Sequence, residues 1–267
     1  MDGIRTWLRE RPGDGTPVVF WHGNPTDSDD WIPFMERLDR RSVAADMPGF
    51  GRSEAPDPAR FPYTVDAYGR WAEALIRSLG FDRYSLVIHD WGSIGLLPAL
   101  RNPEQVERIV AFNSVPLGLG YEWHRTARIW RRRGAGELAN AISRGRLIDL
   151  SLREARPGFK AMPAHIADRV HRNMGRRETR DAILRLYRSA PAEKLDELGR
   201  DLPALEAPTL LLWAKDDPYI GPEIGPRWAE RAPNAILEEV DRAGHWPWVD
   251  RPELINRAIR FLEAGGA

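Results

Sequence analysis

Asp90, Asp217 and His245 each stand just past a short apolar run. Asp90 follows "YSLVIH", Asp217 sits in "WAKDDP" after "APTLLLWA", and His245 sits in "DRAGHWPW" after "AILEEV". Two carboxylates and an imidazole supply a nucleophile, a base and a group to orient the base. An aspartate nucleophile is specific about the reaction. A serine that displaced a leaving group from a saturated carbon would be left as an ether, which water does not easily cleave. A carboxylate doing the same becomes an ester. Water can then attack the ester's carbonyl carbon and restore the acid. Asp90 in that role implies substitution at an sp3 carbon followed by hydrolysis. His245 would activate the water, and Asp217 would orient the imidazole and stabilise its cation. The plainer reading of Asp90 is a helix N-cap, which aspartate fills well. A histidine and a second acid in register past two other strands weigh against it.

The elements that must hold these groups alternate along the chain. Strands are predicted over 17–21 ("PVVFW"), 41–46, 84–89, 106–112, 207–214 and 235–240. Helices are predicted over 30–38, 93–101, 223–231 and 252–262, and one more begins at a Thr64 cap. In that helix Val65, Tyr68, Trp71, Leu75, Ile76 and Leu79 form one stripe, and Gly80 ends it. Strands apolar on both faces, separated by helices, indicate a mostly parallel sheet covered on two sides. In such a sheet the C-terminal strand ends share one edge, and sites form there. Gly92, two residues past Asp90, suits a sharp turn pressed against a neighbour.

Between Pro116 and about Asp201 no strand pattern appears. The predicted organisation is a core in two parts, 1–115 and 202–267, with a helical insertion over 116–201 above the strand ends. The run Arg131–Arg132–Arg133 reads as a solvated helix face. The loop 54–62 and the tail "AGGA" are the low-complexity pieces, and no internal repeat is present.

The 267 residues suffice for one sizeable core, and the chain has no cysteine, which removes disulfides and thiol catalysis. Basic and acidic residues balance at 39 each, so no global attraction to nucleic acid or an anionic membrane is expected. Lysine occurs only at 160, 194 and 215, so the basic charge is nearly all arginine. The start "MDGIRTWLRE" does not read as a secretory signal, and no apolar run reaches membrane-spanning length. The expectation is a cytoplasmic protein, monomer or homodimer, without metal or cofactor.

The chain resembles the α/β-hydrolases over nearly its whole length. The order nucleophile, acid, base and the strand–turn–helix around Asp90 are those of that fold. "HGNPT" (22–26) resembles the family's oxyanion loop, and "DMPGFGRS" (46–53) resembles its glycine-bearing loop. "HDWG" (89–92) resembles the elbow of the branch that uses aspartate. Together, "HGNP" and "HDWG" are similar to haloalkane dehalogenases, whose substrates are small apolar halides attacked with water. The resemblance assigns the oxyanion to backbone N–H groups of Asn24 and Trp91, and the halide to the Asn24 amide and the Trp91 indole. Asn24 could instead simply shape its loop, and Trp91 could simply pack.

Other leaving groups imply relatives of this branch. An epoxide leaves as an alkoxide and needs a proton. Epoxide hydrolases supply it from two tyrosines in the insertion, where this chain has Tyr121 and Tyr187. Haloacid-type relatives set arginines beside the nucleophile, where this chain has Trp91. A reading from another class is a catalytically silent ligand binder on the same fold, against which the complete triad argues. Some members carry the triad acid after the strand that follows the nucleophile's strand. Here that place holds Asn113, which leaves Asp217, with Pro218 directly after it, favoured over the adjacent Asp216. His22 and His89 are read as structural groups at strand ends. Trp123, Trp130, Trp246 and Trp248 are read as packing, with room for one tryptophan from the insertion to line a pocket.

Overall fold

The computed structural model describes residues 3–264, so Met1, Asp2 and the last three residues of the "AGGA" tail lie outside the described residues. Seven strands form one sheet: β1 (Leu8–Arg11), β2 (Asp14–Trp21), β3 (Arg40–Ala45), β4 (Tyr84–Asp90), β5 (Val106–Ser114), β6 (Thr209–Ala214) and β7 (Ala235–Val240). Their order across the sheet is β1-β3-β2-β4-β5-β6-β7. β1 runs antiparallel to β3, and the other pairs are parallel. Every residue of β4 and β6 is buried, as strands covered on both faces require. Register aligns Trp21 with Ile88, Ile88 with Ala111, Ala111 with Leu211, and Leu211 with Leu237. That row fixes one edge, and the chemistry-bearing residues fall just beyond it.

The helices α1 (Ile32–Met35), α2 (Val65–Ser78) and α3 (Leu96–Arg101) precede β5. Thr64 caps α2 by accepting from the Ala67 N–H, and the predicted stripe is buried except for Leu79, which is partly so. The helix expected over 30–38 is shorter. A 3-10 turn at Ser28–Trp31 leads into α1, which ends at Met35. β3 starts at Arg40, which leaves no length for another turn. The sequence reading also lacks β1. Its "LRER" is mostly charged and half-exposed at the sheet edge, so it shows no apolar run.

Among the described residues no strand lies between β5 and β6. The chain there forms α4 (Arg125–Arg131), α5 (Ala135–Ile142), α6 (Arg146–Glu154), α7 (Ala164–Gly175), α8 (Arg177–Arg188) and α9 (Ala192–Leu198). Three further helices, α10 (Ile224–Arg231), α11 (Pro247–Asp250) and α12 (Glu253–Glu263), complete the fold. The inserted helices are fastened to loops at the sheet edge. Arg169 of α7 pairs with Asp30 at 3.1 Å, both buried, and Arg172 reaches Asp27 at 3.3 Å. The Asn173 amide donates to the Pro25 carbonyl at 3.0 Å, and the Thr179 hydroxyl donates to the Gly49 carbonyl at 2.7 Å. Arg131 corrects the reading of the arginine run. Its guanidinium donates to the carbonyls of Tyr187 and Ala190 and lies over the Trp123 ring, while Arg132 and Arg133 are exposed. The run looks uniform, but α4 ends at Arg131, and Arg132 and Arg133 lie in the turn that follows it.

Candidate active site

β4 ends in a tight turn. Asp90 has φ 48° and ψ −124°, a left-handed conformation that costs a non-glycine residue of order 1–3 kcal/mol. Close packing enforces it. A Cβ on Gly92 would lie 2.1 Å from the Trp21 carbonyl oxygen, and one on Gly23 would lie 2.6 Å from the Asp90 Cβ. Only glycine at both places lets the "HGNP" loop and the turn meet. There the Asn24 backbone N–H donates to Asp90 Oδ2 at 2.7 Å. Burial pushes the Asp90 carboxyl upward, and nearby His245 and the N–H groups of Asn24 and Trp91 pull it back only in part.

His245 Nδ1 lies 2.9 Å from Asp217 Oδ2, and both groups are buried. Asp217 is itself fixed: its Oδ1 accepts from the backbone N–H groups of Tyr219 at 2.8 Å and Ile220 at 3.2 Å. Asp216 is exposed, and of the two adjacent acids it is Asp217 that pairs with His245. Burial opposes a charge on His245. The Asp217 carboxylate beside it, helped by Asp90 and Asp30, nonetheless holds its pKa above the ordinary histidine value. Asn113 has a part that its sequence context does not reveal. Its amide donates to the carbonyls of Ala214 and Ile220 and accepts from the Ala214 N–H, which clamps the loop carrying Asp217. His89 Nε2 donates to the His245 carbonyl oxygen at 2.6 Å, and His22 bridges Gly23 and Met47.

A cavity of about 100 Å³ opens between these groups and the inserted helices. Asp90, His245 and Asn24 form its floor; Trp123, Tyr187, Tyr219, Ile148, Leu152 and Met174 are among its walls. The Trp91 ring stacks on Trp123 at 5.5 Å and meets Tyr187 edge-on at 5.1 Å. Trp91 Nε1 is buried with no hydrogen bond of good geometry among the described residues, and so is Asn24 Oδ1. The Tyr187 hydroxyl is close enough for the Trp91 and Asn24 side chains to bear on its pKa, which burial pushes far up. The Tyr121 hydroxyl is spent on the Tyr219 carbonyl at 2.7 Å. Trp130 and Trp246 also reach the cavity, so packing is not their only part, whereas Trp248 packs on Trp31, Phe34 and Phe112. Sequence reasoning passes over Tyr219 and His124. For His124 a signal exists: it precedes α4 in the N-cap place. Among the described residues no three His, Asp or Glu side chains gather as metal ligands would.

The arrangement supports attack by a buried carboxylate, with a base and its orienting acid alongside. Residues 16–252 match the family described as alpha/beta hydrolase fold. The chain is 30% identical over 266 residues to haloalkane dehalogenase 2 of Mycobacterium tuberculosis, covering 92% of this chain and 87% of that protein. It belongs to the α/β-hydrolase family, as a haloalkane dehalogenase-like enzyme. A cis-3-alkyl-4-alkyloxetan-2-one decarboxylase of Shewanella oneidensis is 28% identical, over 94% of this hydrolase and 83% of its own length. The crystal structure of haloalkane dehalogenase DbeA from Bradyrhizobium elkani superposes with a TM-score of 0.84 at 24% identity, over 98% of this chain and 95% of that one, a likeness of fold. No helix among the described residues of the hydrolase is long and apolar enough to cross a membrane.

Proposed function

We propose that the enzyme cleaves the carbon–halogen bond of a small haloalkane through an ester on Asp90, releasing alcohol and halide. The observation that carries this reading is the hydrogen bond from the Asn24 N–H to Asp90 Oδ2. It holds one carboxylate oxygen and leaves the other to attack carbon. After attack Oδ2 is the ester's carbonyl oxygen, already facing the donor that must stabilise the oxyanion when water adds. His245 takes the proton from that water, and Asp217 steadies the imidazolium. The Trp91 indole N–H, buried with no hydrogen bond of good geometry among the described residues, is a donor suited to a departing halide, and the Asn24 side chain lies with it near the Tyr187 hydroxyl. A halide is a weak base and needs no proton, so two donors in an apolar cavity suffice. In this reading 116–201 is a cap that sets substrate size, and neither metal nor organic cofactor enters the steps.

Epoxide hydrolysis by the same triad is the second reading, favoured by Tyr187 at the cavity wall beside Trp91. The engagement of the Tyr121 hydroxyl with a backbone carbonyl weighs against the paired acids that reaction would need. Bromide release from 1-bromobutane and 1,2-dibromoethane tests the first reading. Release that disappears in Asp90→Asn supports it. Styrene oxide hydrolysis in the absence of bromide release, lost in Tyr187→Phe, would replace it.

A further inference from the structure

His124 belongs to no step above, yet it lies in the cavity wall between Tyr187 and Tyr219, with ring centroids 6.4 Å and 5.0 Å away. Its Nδ1 accepts the Ala127 N–H at 3.4 Å and so caps α4. That bond decides the tautomer. A neutral imidazole has one N–H and one lone-pair nitrogen, and the lone pair is committed at Nδ1, so the hydrogen sits on Nε2. Burial, the nearby His245 and Arg128 lower the His124 pKa to about 4, so the ring stays neutral at ordinary pH despite Asp217. No hydrogen bond to Nε2 is formed among the described residues. His124, a residue of the cavity wall, therefore carries an N–H donor that is unpaired among the described residues and has the rings of Trp123, Tyr187 and Tyr219 as neighbours.

We infer that His124 is a specificity-determining residue whose Nε2–H binds an oxygen acceptor on the carbon chain of the substrate, so that oxygen-bearing haloalkanes (ethers, alcohols or ketones) are preferred to plain ones. This deepens the dehalogenation reading and rests on it for the word haloalkane. An apolar chain leaves the donor unsatisfied in a low-dielectric site, and an ether oxygen satisfies it. One neutral hydrogen bond in such a site is worth about a factor of ten in preference.

The test compares 1-bromobutane with 2-bromoethyl methyl ether, which differ by one CH2 replaced by O. His124→Ser keeps a capping oxygen for α4 and removes the cavity donor, and His124→Asn keeps both a cap and an N–H. Dissociation constants for the two bromides are measured by tryptophan fluorescence in the Asp90→Asn background, where no turnover is needed, and kcat/KM is measured with Asp90 intact. The expected result is that the ether-to-alkane preference falls about tenfold in His124→Ser and returns in part in His124→Asn. An unchanged preference in His124→Ser overturns the inference. Asp90-dependent bromide release without any His124 effect leaves the dehalogenation reading standing alone. A His124-dependent binding preference without release removes that reading and leaves the donor role.

Discussion

The floor and the roof of the cavity are built by different means. At the floor, Asp90 and Asp217 are held by main-chain groups, the Asn24 N–H and the Tyr219 and Ile220 N–H groups, and His245 is held by the Asp217 carboxylate in loops locked by the Asn113 and His89 side chains. In the roof, the cavity surface is made mostly of aromatic and aliphatic side chains, with His124, Thr126, Ser143 and Ser151 among them, and hydrogen bonds run sideways to helix ends and loops. The Trp123 indole, for example, donates to the Ala190 carbonyl. The outer side of the roof leaves the apolar side chains of Leu138, Ile142 and Leu150 at 65%, 56% and 51% exposure. Backbone-held groups keep their geometry when neighbours change. Side-chain walls change shape with each substitution. In the proposed reading the floor fixes the reaction, and the roof fixes what enters.

The largest effect that would sharpen this contrast is at the floor. Asp90→Asn is expected to lower turnover by about 10⁴-fold or more while the fold survives, as thermal unfolding near wild type would show. A residual rate within tenfold of wild type would break the contrast at its root. Next comes the seam between the two regions. Arg169→Met leaves Asp30 buried without its cation, while Asp27 keeps Arg172, and a loss of roughly 3–5 kcal/mol in chemical unfolding is expected. An effect below about 1 kcal/mol would mean that the seam is held by packing alone. Within the roof, Trp123→Leu removes a wall residue and should shift preference toward longer bromoalkanes by roughly tenfold, with turnover of the best substrate little changed. A uniform loss across chain lengths would assign Trp123 to the chemistry.

Two pH effects are smaller and opposite in origin. His245 must be neutral to take a proton from water. Its pKa is held above the ordinary 6.5, chiefly by Asp217, which keeps its charge when Asp90 is esterified. The hydrolytic step should therefore fail on acidification at a higher pH than an ordinary histidine would give, and Asp217→Asn should move that limb down. A limb below 6.5 in the wild type would contradict this. His124 is depressed to about 4. Between that value and the unfolded pKa the unfolded chain binds more protons, so stability rises with pH across the window. Acidification through it should cost on the order of 2 kcal/mol, and His124→Asn should remove that part. An identical stability–pH curve for the variant would contradict it.

The same division governs what can be read in the sequence. β4 and β6 carry apolar runs that announce buried strands, β7 carries a shorter one at the half-exposed sheet edge, and Asp90, Asp217 and His245 lie at or a few residues past their ends, so the candidate triad is legible before any coordinates. β1 is not, because an edge strand of charged residues has no periodic signal. Asn113 reads as a missing acid, and only the fold shows it clamping the loop that carries Asp217. The wall is harder still. His124, Tyr219 and Met174 come from separate elements, and no spacing in the chain ties them to one cavity. Their part depends on how helices pack, which periodicity alone does not set.

The most direct test is the intact mass of His245→Phe after exposure to 1-bromobutane, followed by peptide mapping. Without the base the first step should proceed and the second should stall, so one butyl group is expected on the protein, located at Asp90. An unmodified Asp90 in a folded variant, under conditions where the wild-type enzyme releases bromide, would contradict the covalent mechanism.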